Sequence, residues 1–117
     1  MPDKRTVSVG THVCCKQHRW RLLEVLESCE ELGLEAPIFE TASLGGKKAR
    51  IHAPVTALNA DLLADQALDV LSTLLGSKSE LWHGDLIVEL SGITDGGRLA
   101  QGKQAVEKRG YHVEIRS

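Results

Sequence analysis

The chain has 117 residues, of which 42% are hydrophobic and 26% charged. That is the balance of an ordinary globular chain and the length of one domain, which excludes disordered, collagen-like and membrane-spanning classes. Fourteen Lys and Arg against 16 Asp and Glu leave a formal charge of −2, so no global basic field draws in nucleic acid or anionic lipid.

Four aromatic residues, Trp20, Phe39, Trp82 and Tyr111, are few for a base-stacking surface. The opening residues alternate polar and apolar and lack the unbroken apolar core of a signal peptide. No apolar run approaches the roughly 18 residues of a membrane helix. Cys14, Cys15 and Cys29 make an odd count with two neighbours, a poor disulfide framework, so a reducing cytoplasm and no membrane association are expected. A domain of this size buries only about two-thirds of its unfolded surface, which favours a homo-oligomer.

Residues 5–15 alternate, with Val7, Val9, Thr11, Val13 and Cys15 on one side, and predict a strand with one buried face. Residues 17–32 switch to helical period, with Leu22, Val25, Leu26, Cys29 and Leu32 on one stripe and Gly33 as the stop. Ile38–Ala42 and Ala49–Val55 read as two strands of a hairpin joined by Ser43-Leu44-Gly45-Gly46, a turn longer than the tightest type. Asn59 caps a second helix that buries Leu63, Ala67, Val70, Leu71 and Leu74 and ends at Gly76. The apolar run 86–90 has the composition of a central strand covered on both faces. Thr94-Asp95-Gly96-Gly97 opens a third helix ending at Arg109-Gly110, and Tyr111–Arg116 closes the chain as a strand.

The order β-α-β-β-α-β-α-β predicts one compact α/β domain over residues 1–117, with a mixed sheet of about five strands and three helices. A two-layer α+β sandwich is the alternative.

Two junctions attract attention as anion sites. At the first, Lys16, Arg19 and Arg21 crowd a helix start, while Glu24, Glu27, Glu30 and Glu31 fill its latter half. Both groups oppose the macrodipole, and pairing three or four residues apart would recover part of the loss. A positive cluster at a helix start meets anions readily. At the second, Thr94, Gly96, Gly97 and Arg98 offer close backbone approach and a cation after the most strand-like run in the chain. Placed at the carboxyl ends of parallel strands, the two junctions would share one sheet edge.

Cys15, five residues and Arg21 between a strand and a helix resemble the phosphate loop of cysteine-dependent phosphatases and related arsenate reductases. That resemblance implies Cys15 as nucleophile and Arg21 as phosphate clamp. The stretch has no glycine in the loop, and Leu22 stands where that family carries a hydroxyl residue. His12, Cys14, Cys15 and His18 match no standard zinc spacing, so no metal and no cofactor are expected.

Lys47, Lys48 and Arg50 form a basic hairpin tip that suits either phosphates or a guarded sheet edge. Asp61, Asp65 and Asp69 read as the solvated side of their helix, and His83 next but one to Asp85 as a weak acid–base pair. The leading expectation is a small binding or regulatory protein holding a small phosphate-bearing anion at the two junctions. Behind it stand a homo-oligomeric interaction protein, a Cys15-dependent phosphatase-like or redox enzyme, and a nucleic-acid module joining Lys47, Lys48 and Arg50 to the first junction. Nucleic acid is the less expected partner and catalysis the less expected activity.

Overall fold

A computed structural model describes residues 3–13, 18–76 and 84–116. The elements run β1 (Asp3–Val13), α1 (Arg19–Glu27), β2 (Glu35–Leu44), β3 (Lys47–Pro54), α2 (Ala60–Leu75), β4 (Gly84–Thr94), α3 (Gly96–Glu107) and β5 (His112–Arg116). The five strands form one sheet in the order β3-β2-β4-β1-β5, and each strand is antiparallel to its neighbours.

The antiparallel ladder and the alternating chain order have a common geometric origin. Helix α1 links β1 to β2, which run in the same direction with β4 between them. Helix α2 likewise links β3 to β4 across β2, and α3 links β4 to β5 across β1. Each crossover joins co-directional strands, as a β-α-β unit does, but leaves room for one oppositely running strand. A sheet of mixed direction therefore resolves into a fully antiparallel one, with the layering of the two-layer alternative.

Alternation decides which face is buried. Val7, Val9 and Val13 of β1, Leu86, Val88 and Leu90 of β4, Phe39, Ala42 and Leu44 of β2, Ala49 and Ile51 of β3 and Val113 of β5 all belong to the core. They meet Leu22, Val25 and Leu26 of α1, Leu63, Ala67, Leu68 and Leu71 of α2, and Leu99 and Val106 of α3. Among the described residues no element covers the other sheet face, which carries His12, Lys48, Arg50, His52, Asp85, His112 and Glu114 exposed. Strand β4 is central but covered on one face only, since Ile87 and Ile93 are 41% and 47% exposed. The compact apolar run indicated burial on both sides; the layering leaves alternate residues outside.

Several boundaries move for local reasons. The β2–β3 turn is Gly45-Gly46, with φ of +58° and +81° and Leu44 paired with Lys47. It is the tightest hairpin turn, which needs left-handed backbone at both positions and so selects two glycines. Helix α1 ends at Glu27, and turns carry the chain to Gly33. Asn59 precedes α2 but caps no helical N–H: it accepts from the Thr56 backbone N–H at 2.7 Å and donates to the Pro54 carbonyl at 2.8 Å, closing the turn before the helix. Val70 and Leu74 of α2 are 40% and 45% exposed, so its buried stripe is narrower than its leucine content suggests. No helix among the described residues is long and apolar enough to cross a membrane.

Candidate functional site

The two junctions lie at opposite ends of the sheet. In the β1–β4 ladder Val13 pairs with Gly84 and Asp3 with Thr94. The end of β1 and the end of β4 are therefore ten residues apart along a strand, about 33 Å. They do not form one edge site, because antiparallel neighbours present their carboxyl ends in opposite directions.

At the first junction Cys14, Cys15, Lys16 and Gln17 lie outside the described residues, as do Trp82 and His83 elsewhere. The described cations of this junction already have partners. Arg19 donates from Nε to Asp65 Oδ1 at 2.6 Å and from Nη2 to Asp61 Oδ1 at 2.9 Å, pinning α1 to α2. Those two carboxylates hold the Arg19 proton more tightly than usual. Two members of the Asp61, Asp65 and Asp69 series thus face a guanidinium as well as solvent.

Arg21 donates through Nη1 to the His12 carbonyl, and its guanidinium lies 5.3 Å from the centre of the Trp20 ring. Its Nε is buried with no partner among the described residues. A phosphate clamp needs the planar fork of donors aimed at one anion; here one arm is turned back onto the end of β1. Among the described residues, the glutamates on and after α1 make no ion pair with Arg19 or Arg21. Arg109, beyond α3, reaches Glu31 through Nη2 and Glu24 through Nε at 3.7 Å. Tertiary packing supplies the counter-charges that spacing within one helix was expected to supply.

At the second junction the helix start is already occupied by a carboxylate. Asp95 Oδ1 accepts from the Arg98 backbone N–H at 2.9 Å and caps α3. Its negative charge stands where a bound anion would sit. Gly96 and Gly97 are exposed and are not among the positive-φ glycines, so neither is required by conformation. The Thr94 hydroxyl is buried and donates to the Asp95 carbonyl at 3.2 Å, and the Arg98 stem packs against Gly33.

The hairpin differs from both junctions. Lys47, Lys48 and Arg50 are exposed and make no ion pair with any described residue. Residues 41–60 contain these three cations and no acidic residue. Lys48 pairs across the ladder with Ser43 and Arg50 with Thr41, so both cations and both hydroxyls lie on the uncovered face, as does His52. Two strand carboxylates lie near these residues: Glu40 of β2, next to Thr41, accepts from the Ser91 hydroxyl at 3.2 Å, and Glu89 of β4 is paired with Arg116 at 3.3 Å. Lys48, Arg50 and His52 follow one another at about 6.7 Å, the rise of two strand residues.

The hairpin turn and the end of β1 share one end of the sheet, since Leu44 pairs with Leu86 and Val13 with Gly84. Three strand spacings, about 14 Å, separate β3 from β1. The bare-face residues Ser43, Thr41 and His52 are the ones sequence reasoning passed over. Their signal was available in the alternation Lys48-Ala49-Arg50-Ile51-His52.

Asp85 Oδ1 lies 3.7 Å from His12 Nδ1, so the histidine beside Asp85 comes from the neighbouring strand. Among the described residues no group of three His, Cys, Asp or Glu is placed to hold a metal. Cys29 is a buried core thiol, 4% exposed, pushed by burial up to about 12. Burial also lifts Tyr111 to about 12, with Glu24 adding to the effect. Comparison with family models, with curated proteins and with solved structures finds no match.

Proposed function

We propose that this protein is a binding module that holds the phosphate backbone of a nucleic acid along the β2–β3 hairpin. One observation carries the reading: Lys47, Lys48 and Arg50 make no ion pair with any described residue and lie in a stretch, residues 41–60, with no acidic residue, two of them beside hydroxyls on the bare sheet face. Lysine, arginine, serine and threonine are the side chains that contact phosphate oxygens. Their spacing along β3 is of the order of the separation of successive phosphates in an extended strand.

The small-anion reading at the two junctions loses its support, because the junctions stand apart and their described cations are engaged or face a capping carboxylate. Among the described residues the bare face carries no Phe, Tyr or Trp, so the interaction is with backbone phosphates rather than with stacked bases. Such binding is steeply salt-dependent even when net charge is negative, because the field that matters is local.

The test is fluorescence anisotropy of labelled single-stranded RNA and DNA across a salt series, with wild type and with K47E/K48E/R50E. These are exposed positions, so the triple variant is expected to fold normally. The reading predicts affinity falling linearly in log–log form with salt. Loss of three phosphate contacts reduces the slope by about 2 for a single strand. Equal binding by the triple variant, or none by wild type at low salt, contradicts it.

A further inference from the structure

A second surface, at the other end of the sheet from the hairpin turn, has the opposite chemistry. Between the end of α1, the start of β2 and the approach to α2 lies an open cavity of about 450 Å³. Buried apolar side chains line its floor: Leu26, Cys29, Leu34, Val55 and Ala60. Glu27 and Glu30, three residues apart, stand exposed on its rim, and among the described residues no Lys, Arg or His lines it.

The rim charge is uncompensated. Of the four glutamates on and just after α1, Arg109 takes Glu24 and Glu31 and leaves Glu27 and Glu30 without an ion pair among the described residues. The last turn of α1 has no basic residue, so the negative end of its dipole adds to the two carboxylates. A cavity of this volume lies in the range that takes a large apolar group. An apolar floor under an unneutralised acidic rim selects a group that is apolar at its tip and cationic at its neighbours.

From this geometry we infer that the α1–β2–α2 cavity is a docking site for a peptide segment of a partner protein. The segment places one large apolar side chain in the cavity and an adjacent Lys or Arg against Glu27 and Glu30. Such an anchor with a charged rim is the usual anatomy of a small recognition site. This surface shares no residue with the basic part of the hairpin, residues 41–52, so either can fail alone.

The test uses the full chain and three short labelled peptides: one with a central Trp flanked by Lys and Arg, one with that Trp replaced by Ser, and one with the basic residues replaced by Glu. Anisotropy gives affinity, and methyl NMR reports Leu26, Leu34 and Val55. The first peptide is expected to bind and to shift those methyls. The other two, and the first with the E27K/E30K protein, bind about tenfold more weakly or less, a loss of about 1.4 kcal/mol. Unchanged methyls, equal binding of the Ser peptide, or indifference to E27K/E30K overturns the inference. A concentration-dependent dimer that itself shifts these methyls also overturns it, because it assigns the cavity to a second copy of the chain. Thermal unfolding of E27K/E30K confirms the fold, and a folded variant that still binds fully is a failure of the inference.

Discussion

At the scale of single residues, glycines in one helix have contrary roles. Gly102 of α3 lies against the chain after α1: a Cβ there would overlap the Glu31 carbonyl oxygen and stand 2.6 Å from Leu32 Cα. Gly102→Ala should therefore destabilise by about 3 kcal/mol or prevent folding, despite the better helix propensity of alanine. Gly96→Ala meets nothing within 4 Å and should stabilise by about 0.5 kcal/mol. Urea unfolding of the two variants checks both signs. A loss of stability in Gly96→Ala would point to a role for its bare backbone. The Gly102 contact was invisible in the sequence, because a glycine in mid-helix carries no record of what packs on it.

Cys29 gives a pH dependence whose sign is fixed. Its thiol has an ordinary value of 9.0 and is pushed to about 12 in the folded chain, and Tyr111 moves from 10.0 to about 12. The unfolded chain ionises first, so stability is complete below pH 9 and falls as pH rises from 9 toward 12. Chemical denaturation at intervals from pH 8 to pH 11 should show this decline. In Cys29→Ala its onset should move up to near pH 10, whatever the substitution does at neutral pH. An unchanged onset would show that the thiol is not held protonated by burial.

At the scale of elements, strand and helix identities follow from period. The alternation over residues 5–15 and the helical stripe after it place β1 and α1 within a few residues of their positions. Ends are less legible. Asn59 looks like a cap and closes a turn instead, and the α1 periodicity runs on beyond its last hydrogen-bonded turn into Cys29 and Leu32, which are core residues on a non-helical segment.

Charge placement was legible as an anomaly but not as a solution. Basic residues at the start of α1 and acidic ones at its end look unfavourable until Asp61, Asp65 and Arg109 arrive from other elements. Arg19→Ala should accordingly cost about 1 kcal/mol, discounted because the pair is part-exposed, and the loss should shrink at high salt. A thermal shift of the same size at low and high salt would show that Arg19 acts by packing its stem rather than by its charge.

At the scale of the whole molecule, the topology decides which sequence motifs meet. Three crossovers each span an intervening strand, and this makes an antiparallel sheet out of a chain order that reads as β-α-β. Nothing in local pattern distinguishes the two arrangements, since both use the same strands and helices. The consequence for function is large. Gly96, Gly97 and Arg98 are carried to the end of the sheet away from Arg19 and Arg21, whereas the basic hairpin turn is brought to the same end as that first junction. Among the described residues the helices cover one face only, and the hairpin presents Lys48, Arg50, Thr41 and Ser43 on the other. The acidic cavity beside α1 lies at the opposite end, so the two charged surfaces stand apart in a chain whose net charge is only −2.

On the proposed reading, anions are held by the hairpin and not by the helix starts. Backbone amide NMR during titration with a short single-stranded oligonucleotide tests it most directly, because every residue reports at once. Perturbations that cluster on residues 41–52 and fade as salt is raised are the predicted result. Perturbations centred on Thr94–Arg98, or on α1 while the hairpin stays unmoved, would contradict it.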